Sequence, residues 1–95
     1  MKIITKSGFE FEVDERIFTD YRFVDAIAKC SMDKVSEIQG TAELVNLLFG
    51  DKKKSFLDHI ASKNDGFAPS EVVTEEVKHI LEEYHELKNS SSSEG

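Results

Sequence analysis

The sequence has one cysteine, one proline and no tryptophan, and its apolar runs are no longer than three residues, as at Leu47 to Phe49. A single cysteine, Cys30, excludes a disulfide within the chain. Such short runs are far below the roughly 20 apolar residues that a membrane-spanning helix needs, and no charged start leads into the apolar stretch of a signal peptide. We therefore expect a protein of a reducing cytoplasm that does not cross a membrane.

The sequence also lacks the common motifs of catalysis and of cofactor or metal binding. The sequence has no glycine-rich phosphate loop, no paired-cysteine metal motif and no serine elbow, all of which require fairly rigid spacing. His79 and His85 would lie about 120° apart around a helix and cannot share one ion, and His59 is interpreted as a helix-surface or boundary residue. Cys30 falls on an apolar stripe, which favours a small core side chain over a nucleophile. The sequence thus predicts no enzyme, no cofactor and no metal site.

The chain has the size of one domain and is strongly acidic. Its 95 residues include 19 acidic and 12 basic side chains, for a formal net charge of −7. Because this charge would repel a phosphate backbone, we do not expect nucleic acid as a partner. We predict one folded domain over residues 1–88 and, in the serine-rich residues 89–95 that contain no apolar side chain, a disordered tail.

Alternation of apolar and polar residues predicts a β-hairpin at the start of the sequence. We place its loop at residues 6–8, with Gly8 in the left-handed conformation, because this register sets Ile3 opposite Phe11 and brings the apolar side chains onto one face. Ile4 is then left on the polar face without an explanation. A two-stranded hairpin is marginal by itself, so its apolar face is expected to pack against helices.

Helical spacing of apolar residues follows the hairpin, which makes the predicted fold class α+β, mainly α, with a bundle of about four to five helices. The boundaries are predicted from capping residues and glycines. The predicted caps are Asp20, Ser31, Thr41 and Asp51, and the predicted ends are Gly40, Gly50 and the turn from Asn64 to Gly66.

The last helix, after Pro69 and Ser70, has the clearest pattern and is expected to be the longest. Its apolar stripe either belongs to the core or is left partly open as a docking groove, and both interpretations stay open. Tyr84 and Leu87 are the better candidates for an open site because they lie near the helix end. The hypothetical partner-binding residues on this helix are Val77, Ile80, Leu81, Tyr84 and Leu87.

Three consecutive lysines, Lys52, Lys53 and Lys54, open the preceding helix. Cations in the first turn of a helix oppose its dipole, at a cost of roughly a few tenths of a kcal/mol each. The lysines either meet an acidic partner or only keep an exposed turn soluble. We include them among the hypothetical partner-binding residues.

Six short motifs occur in order along residues 1–88. They are Lys-Ser-Gly-Phe-Glu-Phe-Glu-Val-Asp (Lys6 to Asp14), Asp20 to Asp25, Leu47 to Asp51, Leu57 to Ile60, Asp65-Gly66, and Pro69 followed by an acidic helix. In this order and spacing they resemble the short tail assembly chaperones of long-tailed phages and prophages of Gram-positive bacteria. Each motif alone is a hairpin, cap or turn that many proteins share, so the resemblance depends on their arrangement.

The resemblance implies a cytoplasmic factor that is not an enzyme and is not part of the mature virion. Such a factor binds the long tape measure protein, keeps its apolar helices soluble and helps to recruit the major tail tube protein. In many such phages a programmed ribosomal frameshift adds a C-terminal extension, and this chain would correspond to the short form.

The mechanism that we expect is binding through an amphipathic helical surface, which covers apolar segments of a helical client while the negative charge keeps the complex soluble. The alternative hypothesis is a small acidic regulatory or adaptor protein that binds a host or phage protein. A gene position between a major tail protein and a very long helical protein would favour the first. Formation of a homo-oligomer is left open.

Overall fold

The structure, a computed structural model, describes the backbone of residues 1–92 and the side chains of residues 1–84. A two-stranded antiparallel sheet is followed by four α-helices, so the predicted class, mainly helical with an N-terminal hairpin, is confirmed. The strands are β1 (Lys2–Ile4) and β2 (Glu10–Glu12), and the helices are α1 (Tyr21–Cys30), α2 (Lys34–Phe49), α3 (Lys53–Ser62) and α4 (Ser70–Ser92). Short 3-10 helices at Glu15–Thr19 and Gly50–Lys52 precede α1 and α3.

The hairpin has the predicted register and loop. Ile3 lies opposite Phe11 and both side chains are buried, while Gly8 has a φ of +95°, the left-handed region that glycine tolerates. Ile4 points away from the core and is 50% exposed. The hairpin therefore presents one apolar face to the helices.

The prediction of two separate helices on either side of Gly40 is wrong. Both segments belong to α2, which is capped by Asp33, whose carboxylate accepts from the Ser36 amide at 2.8 Å. Ser31 is therefore not the cap, and Thr41 is a buried position within the helix. A glycine inside a helix costs only about 1 kcal/mol, which the packing of a long helix can offset.

Gly40 has a packing role instead. A Cβ atom at this position would lie 2.6 Å from the carbonyl oxygen of Ala26 and 2.9 Å from Sγ of Cys30, which is closer than atoms can approach. Glycine thus allows α1 and α2 to pack backbone to backbone, and this is the most extensive contact between helices in the fold.

The remaining boundaries are partly as predicted. Asp51 lies in the short 3-10 helix and does not cap α3, whose N-cap position is Lys52 without a side-chain hydrogen bond. The break before α4 has positive φ angles at Asp65 and Gly66, and α4 begins at Ser70 and is the longest helix, both as predicted. It continues to Ser92, past the predicted end of the domain. Residues 93–95 lie outside the described residues, and disorder of the tail stays a prediction.

The core lies between the apolar face of the hairpin and the helices. At its centre four aromatic rings pack together, with ring centroids 4.0 Å apart for Phe49 and Phe56 and 4.5 Å apart for Phe11 and Phe49, and with Phe9 at the edge. Within the described residues, no helix combines the length and apolarity needed to cross a membrane.

Candidate functional site

The apolar stripe of α4 is used largely by the chain's own core. Val77 and Ile80 are 2% and 1% exposed, so an open docking stripe cannot include them in this fold. Leu81 and Tyr84 are half-buried, and the ring of Tyr84 stacks on Phe18 with centroids 3.9 Å apart. The side chain of Leu87 lies outside the described residues. The interpretation of this stripe as mainly core fits these positions, because α4 closes the core beneath the hairpin and α2.

The three lysines are exposed but not equally available. Lys53 donates to Oδ1 of Asn46 at 2.9 Å, and Lys54 pairs with Asp58 at 2.8 Å, an i to i+4 contact that raises the pKa of Lys54. Lys52 lies in the 3-10 helix and is exposed. Lys53 thus contacts α2 and Lys54 contacts its own helix, and the role of the three lysines in partner binding stays a prediction.

Exposed large apolar side chains concentrate on α1, on α2 and on the turn between them. In α1 they recur every three residues, which places them along one side of the helix. We call this set the open apolar surface; it consists of Tyr21, Val24, Ile27, Met32, Val35 and Ile38.

Ile27, Val35 and Ile38 recur at helical spacing in the sequence, but they are not part of the core. Val35 is 67% and Ile38 55% exposed. Because α2 is continuous, Val35 lies about 140° around the helix from the buried Leu48, at 100° per residue. Treating residues 34–49 as one helix would have revealed this offset, but Gly40 led to two shorter segments, each with its own apolar face.

A groove of about 620 Å³ runs between α2 and α4, next to this surface. Apolar side chains from three helices line it, and Ile38 belongs both to the groove and to the open apolar surface. Charged side chains of both signs border it, with Lys34, Lys53 and Lys78 against Glu37, Glu71 and Glu75. Of the predicted partner-binding residues, Lys53 lines this groove.

A second groove, of about 420 Å³, separates β1 from α4. One wall consists of residues 1–6, and the other of His79, Ile80, Glu83 and Tyr84. Two predicted partner-binding residues, Ile80 and Tyr84, are therefore brought together here, on a different side of α4 from the first groove. Nε2 of His79 lies 3.8 Å from a Glu83 carboxylate oxygen.

A buried polar cluster joins the hairpin loop to α3 and α4, and sequence spacing gave no sign of it. Glu76, only 3% exposed, accepts hydrogen bonds from the amide and the hydroxyl of Ser7, at 3.2 and 2.5 Å. Nε2 of His59 lies 3.1 Å from both the carbonyl oxygen and the hydroxyl of Ser7. The sequence has one local sign of the cluster, since Glu76 falls at a core position of α4 and a glutamate is costly to bury without hydrogen-bond partners.

This polar cluster does not have the geometry of a nucleophilic serine. In a catalytic triad the histidine stands between the serine and the carboxylate and removes the serine proton. Here Ser7 stands between the other two and donates to Glu76, while a carbonyl oxygen next to His59 requires Nε2 to carry a proton that it can donate. Neither groove is lined by Ser7 or His59. The arrangement is suited to holding the hairpin loop in place.

The described side chains give little support for a reactive cysteine or for a metal site. Cys30 is half-buried, with Sγ 3.9 Å from the hydroxyl of Thr41 and 4.0 Å from the carbonyl of Glu37. Among the side chains of residues 1–84, no three His, Cys, Asp or Glu residues are grouped so as to hold a metal ion. The two grooves and the open apolar surface are therefore the candidate sites, and each is suited to contact with another chain.

Comparison with protein-family models, with curated proteins and with solved structures found no match for this chain.

Proposed function

We propose that this protein is a phage tail assembly chaperone, which binds the tape measure protein and keeps it soluble in the bacterial cytoplasm while tail tube subunits assemble, and which does not remain in the mature virion. The observation that carries the proposal is the open apolar surface beside the groove between α2 and α4. The motif order described above supplies the identity of the client.

The geometry suits an amphipathic helix as the bound segment. Such a helix presents apolar side chains at i, i+3, i+4 and i+7, which can enter a groove while its polar face stays in water. Ala42 and Leu57 would contact these side chains in the groove, and Ile38 at its border would extend the contact onto the open apolar surface.

The charges around the groove suit a client with many different helices. Three lysines and three glutamates border the groove, so a bound helix of either charge finds some complementary contacts and no uniform repulsion. Affinity then comes from apolar burial spread over several modest contacts, which allows the client to be released during assembly. The net charge of −7 keeps the complex soluble, because complexes of like charge repel one another.

Coexpression tests the proposal directly. The tape measure protein from the same genome is expressed in bacteria with the wild-type chain, with Ile38→Glu, with Gln39→Glu or alone, and the soluble fraction of the client is measured. Gln39→Glu is a matched control because it adds the same negative charge at the next position of α2, which is exposed and does not line the groove. Losing a buried isoleucine contact weakens binding about tenfold or more, so we expect Ile38→Glu to lower the soluble fraction and Gln39→Glu to preserve it.

Two results would contradict the proposal. The client could be equally insoluble with and without the wild-type chain, or both glutamate variants could support it equally well. Circular dichroism and urea unfolding of the two variants check that any loss is not caused by misfolding.

A further inference from the structure

The outer edge of β1 has backbone groups without partners in the described residues. Met1 and Val13 exchange two hydrogen bonds, at 3.0 and 2.9 Å, and the amide of Thr5 donates to Phe9 at 2.8 Å. In an antiparallel pair such bonded positions alternate with positions whose N–H and C=O groups point away from the partner strand. The N–H and C=O groups of Lys2 and Ile4 therefore point away from β2.

These groups border the groove between β1 and α4. All six residues of the segment 1–6 line the groove, so it runs along the strand and not across it. Its volume of about 420 Å³ lies in the range of pockets that bury small ligands. A third strand entering here would hydrogen-bond to Lys2 and Ile4 and would lie against His79 and Tyr84 on the other wall.

The side chains along this edge define the occupant. Lys2 and Ile4 alternate with the inward-facing Ile3, which places them on the outer face of the hairpin, and Lys6 follows in the loop. An antiparallel strand centred on Ile4 would place one apolar residue opposite Ile4, one residue opposite Lys2 and one beside Lys6, and acidic side chains are favoured in the last two places. Between them, the residues that face α4 would lie against the half-buried Tyr84 and should be apolar.

A second copy of this chain fits the edge poorly. Two β1 strands paired antiparallel about Ile4 would bring Lys2 of each copy close to the loop residue Lys6 of the other, and like charges placed close together are destabilising. Lysines on an edge strand are a common protection against such self-pairing. Lys2 already pairs with Glu10 at 2.7 Å, whereas Lys6 has no ion pair among the described side chains. An acidic strand is thus favoured over a neutral or basic one.

We infer that the outer edge of β1 is a second protein-binding site, which takes an extended acidic-apolar-apolar-apolar-acidic segment of a partner as a third strand beside α4. This site is separate from the groove between α2 and α4, and it explains why Ile4 is apolar and exposed on an otherwise polar face.

A synthetic peptide, acetyl-Thr-Glu-Val-Ile-Val-Glu-Thr-amide, is the probe. It is titrated into the full chain labelled with ¹⁵N, and amide shifts and hydrogen exchange are recorded. We expect the amides of Lys2 and Ile4 to shift and their exchange to slow at least about tenfold at saturation, while the amide of Thr5, already bonded within the hairpin, changes little.

Matched controls separate strand addition from unspecific apolar contact. Methylation of the central isoleucine nitrogen of the peptide removes a bond to Ile4 and should weaken binding about fivefold to tenfold, whereas methylation of the following valine nitrogen, which points away from β1, should not. In the protein, Ile4→Pro removes the outward N–H without removing a bond to β2 and should abolish binding, while Ile4→Val and Ile38→Glu should preserve it.

Several outcomes would overturn the inference. The amides of Lys2 and Ile4 could fail to shift with millimolar peptide, the two methylated peptides could lose equal affinity, or a peptide with lysines in place of both glutamates could bind equally well. Protection of the two amides in the free chain that rises with the protein concentration would assign the edge to a second copy. If Ile4→Pro does not fold, as judged from its circular dichroism, the pair of methylated peptides still decides the question.

Discussion

At the end of α2, Phe49 packs against Phe11 and Phe56, whereas at the start of the same helix Val35 and Ile38 are more than half exposed. We call these the covered end and the open end of α2. The covered end meets β2 and α3, which supply aromatic partners. The open end has one side on α1, where Sγ of Cys30 lies 4.0 Å from the carbonyl oxygen of Glu37, and its exposed side borders a groove. Apolar residues of one helix thus differ in burial according to what packs on them.

The difference separates what holds the fold from what is available to a partner. A buried phenylalanine contributes about 1.5–3 kcal/mol through apolar burial alone, and edge-to-face or stacked rings add to this. An exposed valine or isoleucine contributes little to stability, and a set of them on neighbouring elements is typical of an interaction surface. Mutations at the two ends should therefore have opposite consequences for stability and for binding.

The largest loss of stability is expected for a substitution of Phe56, which packs on the covered end of α2. Phe56→Ala removes a ring that is fully buried and stacked on Phe49, and should lower the free energy of unfolding by about 3–5 kcal/mol. The same substitution at the exposed Phe67, and Ile38→Ala at the open end, should each change it by about 0.5 kcal/mol or less. Urea unfolding of the three variants measures this, and similar losses in all three would remove the distinction between the two ends.

The second-largest change in stability is expected at Gly40, in the middle of α2. Gly40→Ala would normally stabilise a helix by about 1 kcal/mol, but the new Cβ would lie 2.6 Å from a backbone oxygen of α1 and force the helices apart. We expect a net loss of about 1–2 kcal/mol, in the range of overpacked cores. Gln39→Ala, at an exposed neighbouring position, is the control and should be neutral or slightly stabilising. A stabilising Gly40→Ala would show that the close approach of α1 and α2 is wrong.

The polar cluster attaches the hairpin loop to α3 and α4, and its carboxylate can be removed. Glu76→Ala leaves the amide and hydroxyl of Ser7 without their acceptor and should cost about 1–3 kcal/mol. Glu75→Ala, one residue earlier and exposed, should cost about 0.5 kcal/mol or less. Thermal unfolding of both variants gives the comparison. If the two lose equal stability, the cluster does not hold the loop.

Much of the fold follows from local patterns in the sequence. The register of the hairpin came from one glycine and the alternation around it, because a shift of one residue would turn every phenylalanine to the wrong face. The cap at Asp20 and the start of α4 after Pro69 were predicted for the same reason, since caps and breaks depend on a few adjacent residues.

The open apolar surface could not be predicted in this way. Gly40 has the same local appearance whether it ends a helix or lets two helices touch, and only the position of Ala26 on α1 distinguishes the two. Likewise, Glu76 resembles its exposed neighbours until Ser7 and His59 are brought to it from distant parts of the chain. Periodicity reports which residues share a face, but not whether another element covers that face.

The smallest effect concerns Asp20, the cap at the start of α1, and it depends on pH. Hydrogen bonds from the side chain and the amide of Arg22 lower the pKa of Asp20 from 3.8 to about 2. Because the folded-state pKa lies below the unfolded one, this carboxylate adds stability that is fully present above about pH 5 and is lost as the pH falls towards 2. The group is exposed, so the contribution is small and should weaken further in high salt.

Asp20→Asn tests this contribution without removing the cap, because asparagine caps helices nearly as well as aspartate. The wild type should be the more stable at pH 7, and the difference between the two proteins should shrink as the pH falls from 5 to 2, as measured by urea unfolding at each pH. Asp14, whose pKa is also lowered to about 2 by Arg16, should behave in the same way in Asp14→Asn, since it caps the 3-10 helix by the same pair of contacts. A difference that stays constant over this range would mean that the arginine contacts do not persist in solution, and that the start of α1 is held by packing, such as that of Phe23 against Phe18, and not by this ion pair.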